Sequence, residues 1–466
     1  MGRVPPGDYA GTSPVWLREP ADVNALVPAL WSSSARKDDD GVLHVGGLAV
    51  PDLVANVNTP AYLLDEDDFR ARARAFRDGF ARREDVHWDV YYAGKAFLCT
   101  AVARWVAEEG LCLDVCSDGE LTVALRAGTD PARIGYHGNN KTAMELRRAV
   151  DAGVGRIIVD SFHEIERVAD VARQLGVTQA VMVRVTAGVE AHTHEFIATA
   201  HEDQKFGFSI SSGDAFEAAS RVLAETSLEL RGLHSHIGSQ IFDTSGWEVA
   251  ARRVLALHAR IATERGAVLP ELDLGGGFGI AYTTQDDPAA PATLAEEITR
   301  IVTGECAALG VDVPHLSIEP GRAIVGPAMC TVYTVGTVKE VALDGGATRT
   351  YVSVDGGMSD NLRTALYDAD YSCTLASRAS AAAPVLARVV GKHCESGDIV
   401  VKDEFLPGDI APGDLVAVPA TGAYGRSMAS NYNHALRPPV VAVKDGAARV
   451  VVRRETVDDL LATDLG

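Results

Sequence analysis

Eight short aliphatic runs, near residues 88–93, 111–116, 133–137, 156–160, 180–185, 230–237, 270–274 and 315–319, recur along the chain, and Ala/Arg/Glu-rich segments of helical period separate most of them. Parallel strands covered on both faces read as near-continuous apolar runs, and joining two of them in parallel requires a crossover, usually a helix. Eight such units in succession are the pattern of a (β/α)8 TIM barrel, an α/β fold. A doubly wound open sheet would produce a similar string. The positions of the polar motifs favour the barrel, because barrels gather their reactive residues at the C-terminal ends of the strands.

The motifs fall at those ends. Lys95, in Tyr91-Tyr92-Ala93-Gly94-Lys95-Ala96-Phe97, follows the first strand, and His137-Gly138-Asn139-Asn140 follows the third. His234-Ser235-His236-Ile237-Gly238-Ser239 ends the sixth, Gly275-Gly276-Gly277 the seventh, and Glu319-Pro320-Gly321-Arg322 the eighth. A lysine amine at a strand end, flanked by small residues and preceded by tyrosines, suits covalent capture of a cofactor aldehyde whose ring lies against the backbone. Three consecutive glycines let backbone N–H groups approach a phosphate without interference from Cβ, although glycines also make plain turns. A carboxylate such as Glu319, facing a pyridine nitrogen, keeps the ring protonated and makes it a strong electron sink; a salt bridge to Arg322 would use the same residue without any cofactor. His236 is placed to stack on a flat ring, with Ser239 near its phosphate, or to be satisfied by the backbone as a core histidine. His192-Thr193-His194 lies in the long insert after the fifth strand. No carboxylate or cysteine pattern completes a metal site around it, so a mobile loop is expected there and no metal.

Beyond about residue 325 the texture changes to valine-rich alternation, as in Thr331-Val332-Tyr333-Thr334-Val335, Thr350 to Val354, Val385 to Val390, Leu415 to Val418, Val440 to Val443 and Val450 to Val452. Turn residues such as Asp355-Gly356-Gly357 and Pro412-Gly413-Asp414 separate these runs, which predicts a second, all-β domain. The expected division is a barrel over residues 66–325 and a β domain built from 1–65 and 326–466. Residues 1 to about 50, rich in proline and carrying the charge run Arg36 to Asp40, are expected to be irregular and partly mobile. Neither an internal repeat nor a low-complexity tract is evident.

Composition narrows the partners. Among 466 residues, 43 Lys and Arg stand against 64 Asp and Glu, a net charge of −21, which opposes binding to nucleic acid or an anionic membrane. Seven scattered cysteines form neither a disulfide framework nor a CxxC pair, pointing to a reducing compartment. No stretch approaches the roughly 20 apolar residues of a membrane span, and the N-terminus lacks the basic and apolar regions of a secretion signal. A cytoplasmic location is expected.

The motifs YAGKA, HSHIGSQ, LDLGGGFGI, SIEPGRAIVG, VDGGMSDNLRTALY, GKHCESGDIV and ATGAYGRSMASNYN, in this order across roughly residues 60–440, resemble the alanine-racemase-like pyridoxal phosphate enzymes, and among them the diaminopimelate decarboxylase family. The resemblance implies pyridoxal 5'-phosphate held by Lys95, with His236 stacked on it and Ser239, Gly275, Gly276, Gly277, Glu319, Pro320, Gly321, Arg322 and Tyr424 binding it. It implies substrate contacts from Arg322, Arg363, Tyr367 and Tyr424, with Cys394 as catalytic acid and Glu395 as a substrate ligand, both entering from the other subunit of a homodimer. The implied reaction is decarboxylation of meso-2,6-diaminopimelate to L-lysine, the last step of bacterial lysine synthesis. Two departures stand out: Asp118 where the family usually has Gly, and Gly425 after Tyr424 where Cys is common.

Other enzymes share this architecture. Amino-acid racemases set an arginine against the ring nitrogen and weaken the sink, whereas Glu319 strengthens it and favours decarboxylation. Ornithine- and arginine-type decarboxylases share Glu319 and the cysteine, but their substrates lack the distal carboxylate for which Arg363 offers a partner, with Glu395 for the distal ammonium. A catalytically dead regulatory homologue would have no use for both Lys95 and Cys394.

Overall fold

The computed structural model describes residues 13–188, 205–343 and 346–466. His192-Thr193-His194 lies outside them. Two units are distinct: one comprises Arg70–Gly279 and Pro288–Ile324, the other the described residues up to Phe69 together with Ile280–Asp287 and Val325–Gly466.

The first unit contains eight parallel strands, β1 (Trp88–Ala93), β2 (Cys112–Val115), β3 (Ile134–Tyr136), β4 (Arg156–Val159), β5 (Gln179–Thr186), β6 (Leu228–His234), β7 (Glu271–Asp273) and β8 (His315–Ile318). Each pairs with the next, and β8 pairs with β1, Leu316 opposite Trp88, which closes the barrel. All eight expected runs became these strands. The strand-to-helix joints repeat one solution: Ser117, Thr142 and Ser161 each accept the N–H of the glutamate three residues on, capping helices Asp118–Ala127, Ala143–Ala152 and Phe162–Leu175. Each of these helices stops at a glycine of positive φ, Gly128, Gly153 and Gly176. Asp118, the first departure from the family pattern, is the first residue of its helix and pairs with Arg148 at 2.6 Å, a favourable place for a negative charge. The insert after β5 carries the short strand Phe208–Ser209, parallel to β5, and the helix Asp214–Ala224.

The second unit is built on a mixed sheet. Met329–Ala342 is its long central strand, paired antiparallel with Ala61–Asp65, Thr348–Val354 and Leu415–Val418. Thr348–Val354 runs parallel to Pro384–Val390, and Ala61–Asp65 parallel to Val440–Lys444. From residue 13 on, the N-terminal region is more ordered than its composition predicts. Arg36–Lys37, Leu43–Val45 and Leu48–Ala49 form a small antiparallel sheet, and Leu30, Trp31, Leu43, Val45 and Val50 pack into a core with Leu63, Val332 and Val443. Strand Ile399–Pro407 escaped the sequence reading because Lys402, Asp403 and Glu404 interrupt its apolar character.

Candidate active site

The barrel interior is crossed by a charge. Arg156, the first residue of β4, donates to the Asp273 carboxylate on β7 and to Ser317 Oγ on β8 (3.1 Å), and its guanidinium lies 3.8 Å from the centre of the Tyr91 ring on β1. Asp273 takes Ser317 Oγ–H at 2.7 Å on the oxygen facing Arg156. Its other oxygen takes the Gly275 N–H, also at 2.7 Å. The buried ion pair therefore fixes the start of the glycine turn. There a Cβ on Gly275 would come within 2.5 Å of Ser235 O, and one on Gly276 within 2.5 Å of Glu319 O; Gly277, at φ +109°, passes close to Gly238 O. A turn this tight accepts only glycine; the Gly275 and Gly276 N–H groups are held by Asp273 and His236, which leaves the Gly277 end of the turn to approach an anion.

Around the cradle the strand ends bring four further groups together. Glu319, after β8, accepts a hydrogen bond from His234 Nε2 at 2.9 Å and lies 3.5 Å from His137 Nε2, which is itself 3.1 Å from Asp114 Oδ1 on β2. Burial pushes the Glu319 carboxyl up, but His234, through its charge and its hydrogen bond, outweighs burial and holds it well below its usual range. Burial, reinforced by the charge of Glu319, raises Asp114 instead, and burial lowers His137 to about 3. The two neighbouring carboxyls are thus pushed in opposite directions. The sequence motifs contain His137 and His234, yet neither was singled out. Asp114 was missed altogether, although it is the one charged residue of an otherwise apolar strand.

His236 is half-buried, and burial together with the charge of Lys95 holds it well below its ordinary value. Its Nδ1 accepts the Gly276 N–H at 3.1 Å, so the proton of the neutral ring is assigned to Nε2. Lys95 is exposed in a single 3-10 turn between buried Gly94 and Ala96. The preceding tyrosines do not face a cofactor ring: Tyr91 lies under Arg156, and buried Tyr92 donates to Phe97 O at 2.7 Å, closing the turn that carries Lys95. Ser239 Oγ accepts from Arg322 at 2.7 Å, and Pro320 and Gly321 are buried.

The β-rich unit holds the other expected residues. Arg363, 6% exposed, opens the helix Arg363–Tyr367. Its guanidinium lies 4.3 Å from the Tyr282 ring centre and donates to Tyr371 Oη at 2.7 Å, while Nε, also buried, has no hydrogen-bond partner. Among the described residues no carboxylate pairs with it. Tyr367 and Tyr424 are half-buried, and Tyr424 sits at φ +64°. A Cβ at Gly425, the second departure, would stand 2.5 Å from Thr421 O, so this backbone path excludes the cysteine common there. Cys394 and Glu395 are exposed.

A glycine turn open to an anion at Gly277, an exposed lysine beside a neutral histidine, a carboxylate held ionised, and buried polar atoms without hydrogen-bond partners at Asp114, His137, His234 and Ser235 together fit pyridoxal phosphate. On this barrel they define an alanine-racemase-like pyridoxal phosphate enzyme. The profile of the family described as "Pyridoxal-dependent decarboxylase, pyridoxal binding domain" matches residues 66–326. Diaminopimelate decarboxylase of Mycobacterium tuberculosis (strain ATCC 25618 / H37Rv) is 55% identical over 444 residues, 94% of this chain and 98% of that protein. That of Bacillus subtilis (strain 168) is 44% identical, covering 93% and 97%. The solved diaminopimelate decarboxylase of M. jannaschii in complex with L-lysine is similar with a TM-score of 0.86 and 30% identity, over 93% of this chain and 98% of that one. The chain belongs to the pyridoxal-dependent decarboxylase family, and its cofactor is pyridoxal phosphate.

Proposed function

We propose that this chain decarboxylates meso-2,6-diaminopimelate to L-lysine and CO2, the closing step of bacterial lysine synthesis. The observation that carries the substrate class is Arg363, a deeply buried cation that no carboxylate of the described residues neutralises. Burying an unpaired charge is costly, so such a group marks the place of an anionic ligand. Diaminopimelate has a carboxylate at its far end; ornithine does not. The names of the relatives, and the lysine in the M. jannaschii complex, agree with this reading.

When bound, pyridoxal phosphate supplies the electron sink for the pair released as the Cα–carboxylate bond breaks. Lys95 would hold it through its amine. Glu319 would set its negative charge against the ring nitrogen, and the bond from His234 helps hold it ionised. His236 offers a neutral ring face, while Ser239, Gly275 to Gly277, the Glu319-to-Arg322 segment and Tyr424 hold the phosphate and ring. Arg322, Arg363, Tyr367, Tyr424 and Glu395 orient the substrate, and the thiol of Cys394 returns a proton to Cα.

Residues 66–325 act as the cofactor domain. Residues 1–65 and 326–466 form a β domain that contributes to the interface of a homodimer, each active site taking Cys394 and Glu395 from the partner subunit. The enzyme works in the cytoplasm; no helix among the described residues is long and apolar enough to cross a membrane. CO2 and lysine release from meso-diaminopimelate, with ornithine, arginine and lysine as control substrates, tests the activity, and preference for a control refutes it. The shared site has its own test. Lys95→Ala and Cys394→Ala proteins, each nearly inactive, are unfolded and refolded together; about half the dimers become mixed, each with one intact site, so activity returns to roughly a quarter of wild type. Subunit exchange confirmed by mass without recovered activity places the whole site within one chain.

A further inference from the structure

The segment from Gly391 to Asp398 is anchored at both ends by the same carboxylate. Asp398, 3% exposed, accepts the Met358 N–H at 2.6 Å on one oxygen and the His393 N–H at 2.8 Å on the other. Its own backbone N–H donates to Glu395 O at 3.1 Å, and its carbonyl accepts Gly391 N–H at 2.9 Å. A side chain at Gly357 or Gly391 would run into the carboxylate, so it is seated against two stretches of backbone. The His393 ring makes the second anchor. Nδ1 bonds Asn433 Oδ1 at 3.0 Å and Nε2 bonds Ser359 Oγ at 2.8 Å, with the Tyr432 ring centre 5.3 Å away. A neutral imidazole satisfies both neighbours, donating from Nδ1 to the amide oxygen and accepting the serine hydroxyl at Nε2. Ser359 is tied in turn through its carbonyl to Ser430 N–H at 2.9 Å.

Three stretches far apart in sequence, 356–360, 391–398 and 430–433, therefore meet on two side chains, and Cys394 and Glu395 are exposed between the two anchors. We propose that His393 and Asp398 are positioning residues that set where the Cys394 thiol and the Glu395 carboxylate are presented. The inference rests on the reading of Cys394 as the acid. The exposed Ser396 and Gly397 have little packing to hold the loop, and a 1 Å displacement of a reacting group can cost about 100-fold in rate. His393 is not itself the acid, because both ring nitrogens are engaged within the unit.

The test uses holoenzyme carrying His393→Ala, His393→Gln, Ser359→Ala or Asp398→Asn, with His393→Ala also made in a Cys394→Ala background. His393→Ala should lower kcat roughly tenfold and raise KM while leaving the visible absorbance of the bound cofactor unchanged. His393→Gln and Ser359→Ala, which keep part of the network, should fall between it and wild type. In the Cys394→Ala background, His393→Ala should lower the residual kcat by less than about twofold, because no thiol is left to position, while the rise in KM that acts through Glu395 should persist. Independently of turnover, the rate at which iodoacetamide alkylates Cys394, mapped by mass spectrometry, should change several-fold in the His393 and Asp398 variants. Unaltered kcat, KM and alkylation rate in His393→Ala overturn the proposal, as does a full tenfold loss of kcat persisting without Cys394. Wild-type activity in Cys394→Ala alone would instead remove the acid assignment, leaving the alkylation rates to judge whether the anchors position the loop.

Discussion

In the barrel, the buried cations Arg156 and Lys141 each meet a carboxylate, Asp273 and Glu164, whereas in the β-rich unit Arg363 is buried almost as deeply between two tyrosine rings with no carboxylate of the described residues beside it. Lys141 is further satisfied by the carbonyls of Gly138 and Ile158, both at 2.7 Å. The contrast separates two uses of buried charge. A cation paired at folding holds the architecture, here the strand ends that carry the His137 loop and the glycine cradle. One left unpaired lowers stability until a ligand supplies the counter-charge.

The sharpest way to break that contrast is on the barrel side. Lys95→Ala should abolish activity and the visible absorbance of the bound cofactor together, and absorbance retained in that variant would deny Lys95 its role. Next in size, Arg156→Met should strand the Asp273 carboxylate in the interior and cost about 3–5 kcal/mol of stability, read by denaturant unfolding of the barrel. Arg363→Met should do the opposite of Arg156→Met: stability should be unchanged or raised, because no carboxylate loses its partner, while KM for diaminopimelate rises roughly 10- to 150-fold for the loss of a charge-assisted bond of about 1.5–3 kcal/mol. Equal stability losses in the two variants would erase the distinction.

The smallest effect lies at the opposite end of the barrel strands, where His315 Nε2 meets Asp89 at 3.0 Å. The bond raises His315 above 6.5 and lowers Asp89 below 3.8. The histidine's contribution is complete below its unfolded value and disappears as pH rises through its higher folded value; the aspartate's is present above 3.8 and is lost as pH falls through its lower folded value. Both side chains are about 40% exposed, so screening leaves a few tenths of a kcal/mol. His315→Gln should therefore lower Tm slightly near pH 5.5 and not at pH 9, and an equal change at both would assign the effect to packing.

Much of the site was legible because its chemistry is local. Lys95, the glycine triplet and Glu319 each sit within a few residues of an apolar run, and chain direction alone sends them to one end of a parallel barrel. The environment of Glu319 was not legible. Asp114 and His234 lie on β2 and β6 and His137 follows β3, and only barrel closure sets them around a residue that follows β8. Local pattern misled at Tyr91 and Tyr92, which serve Arg156 and the Lys95 turn, and nothing in Ile280–Asp287 marks it as part of the β-rich unit, where Tyr282 covers Arg363.

The amino-acid sequence by itself determined the eight strands, their helix caps and stops, the glycine cradle and the side chains placed beside it. These follow from hydrophobic period, capping chemistry and the steric freedom of glycine, all of which act over a few residues. Tertiary structure alone decided which charges are paired. Whether Arg156 finds Asp273, whether Glu319 is lowered while Asp114 is raised, and whether Arg363 is left without a carboxylate among the described residues depend on burial and on distances between residues far apart in the chain. Coulomb interaction and desolvation act through space, whatever the separation in sequence.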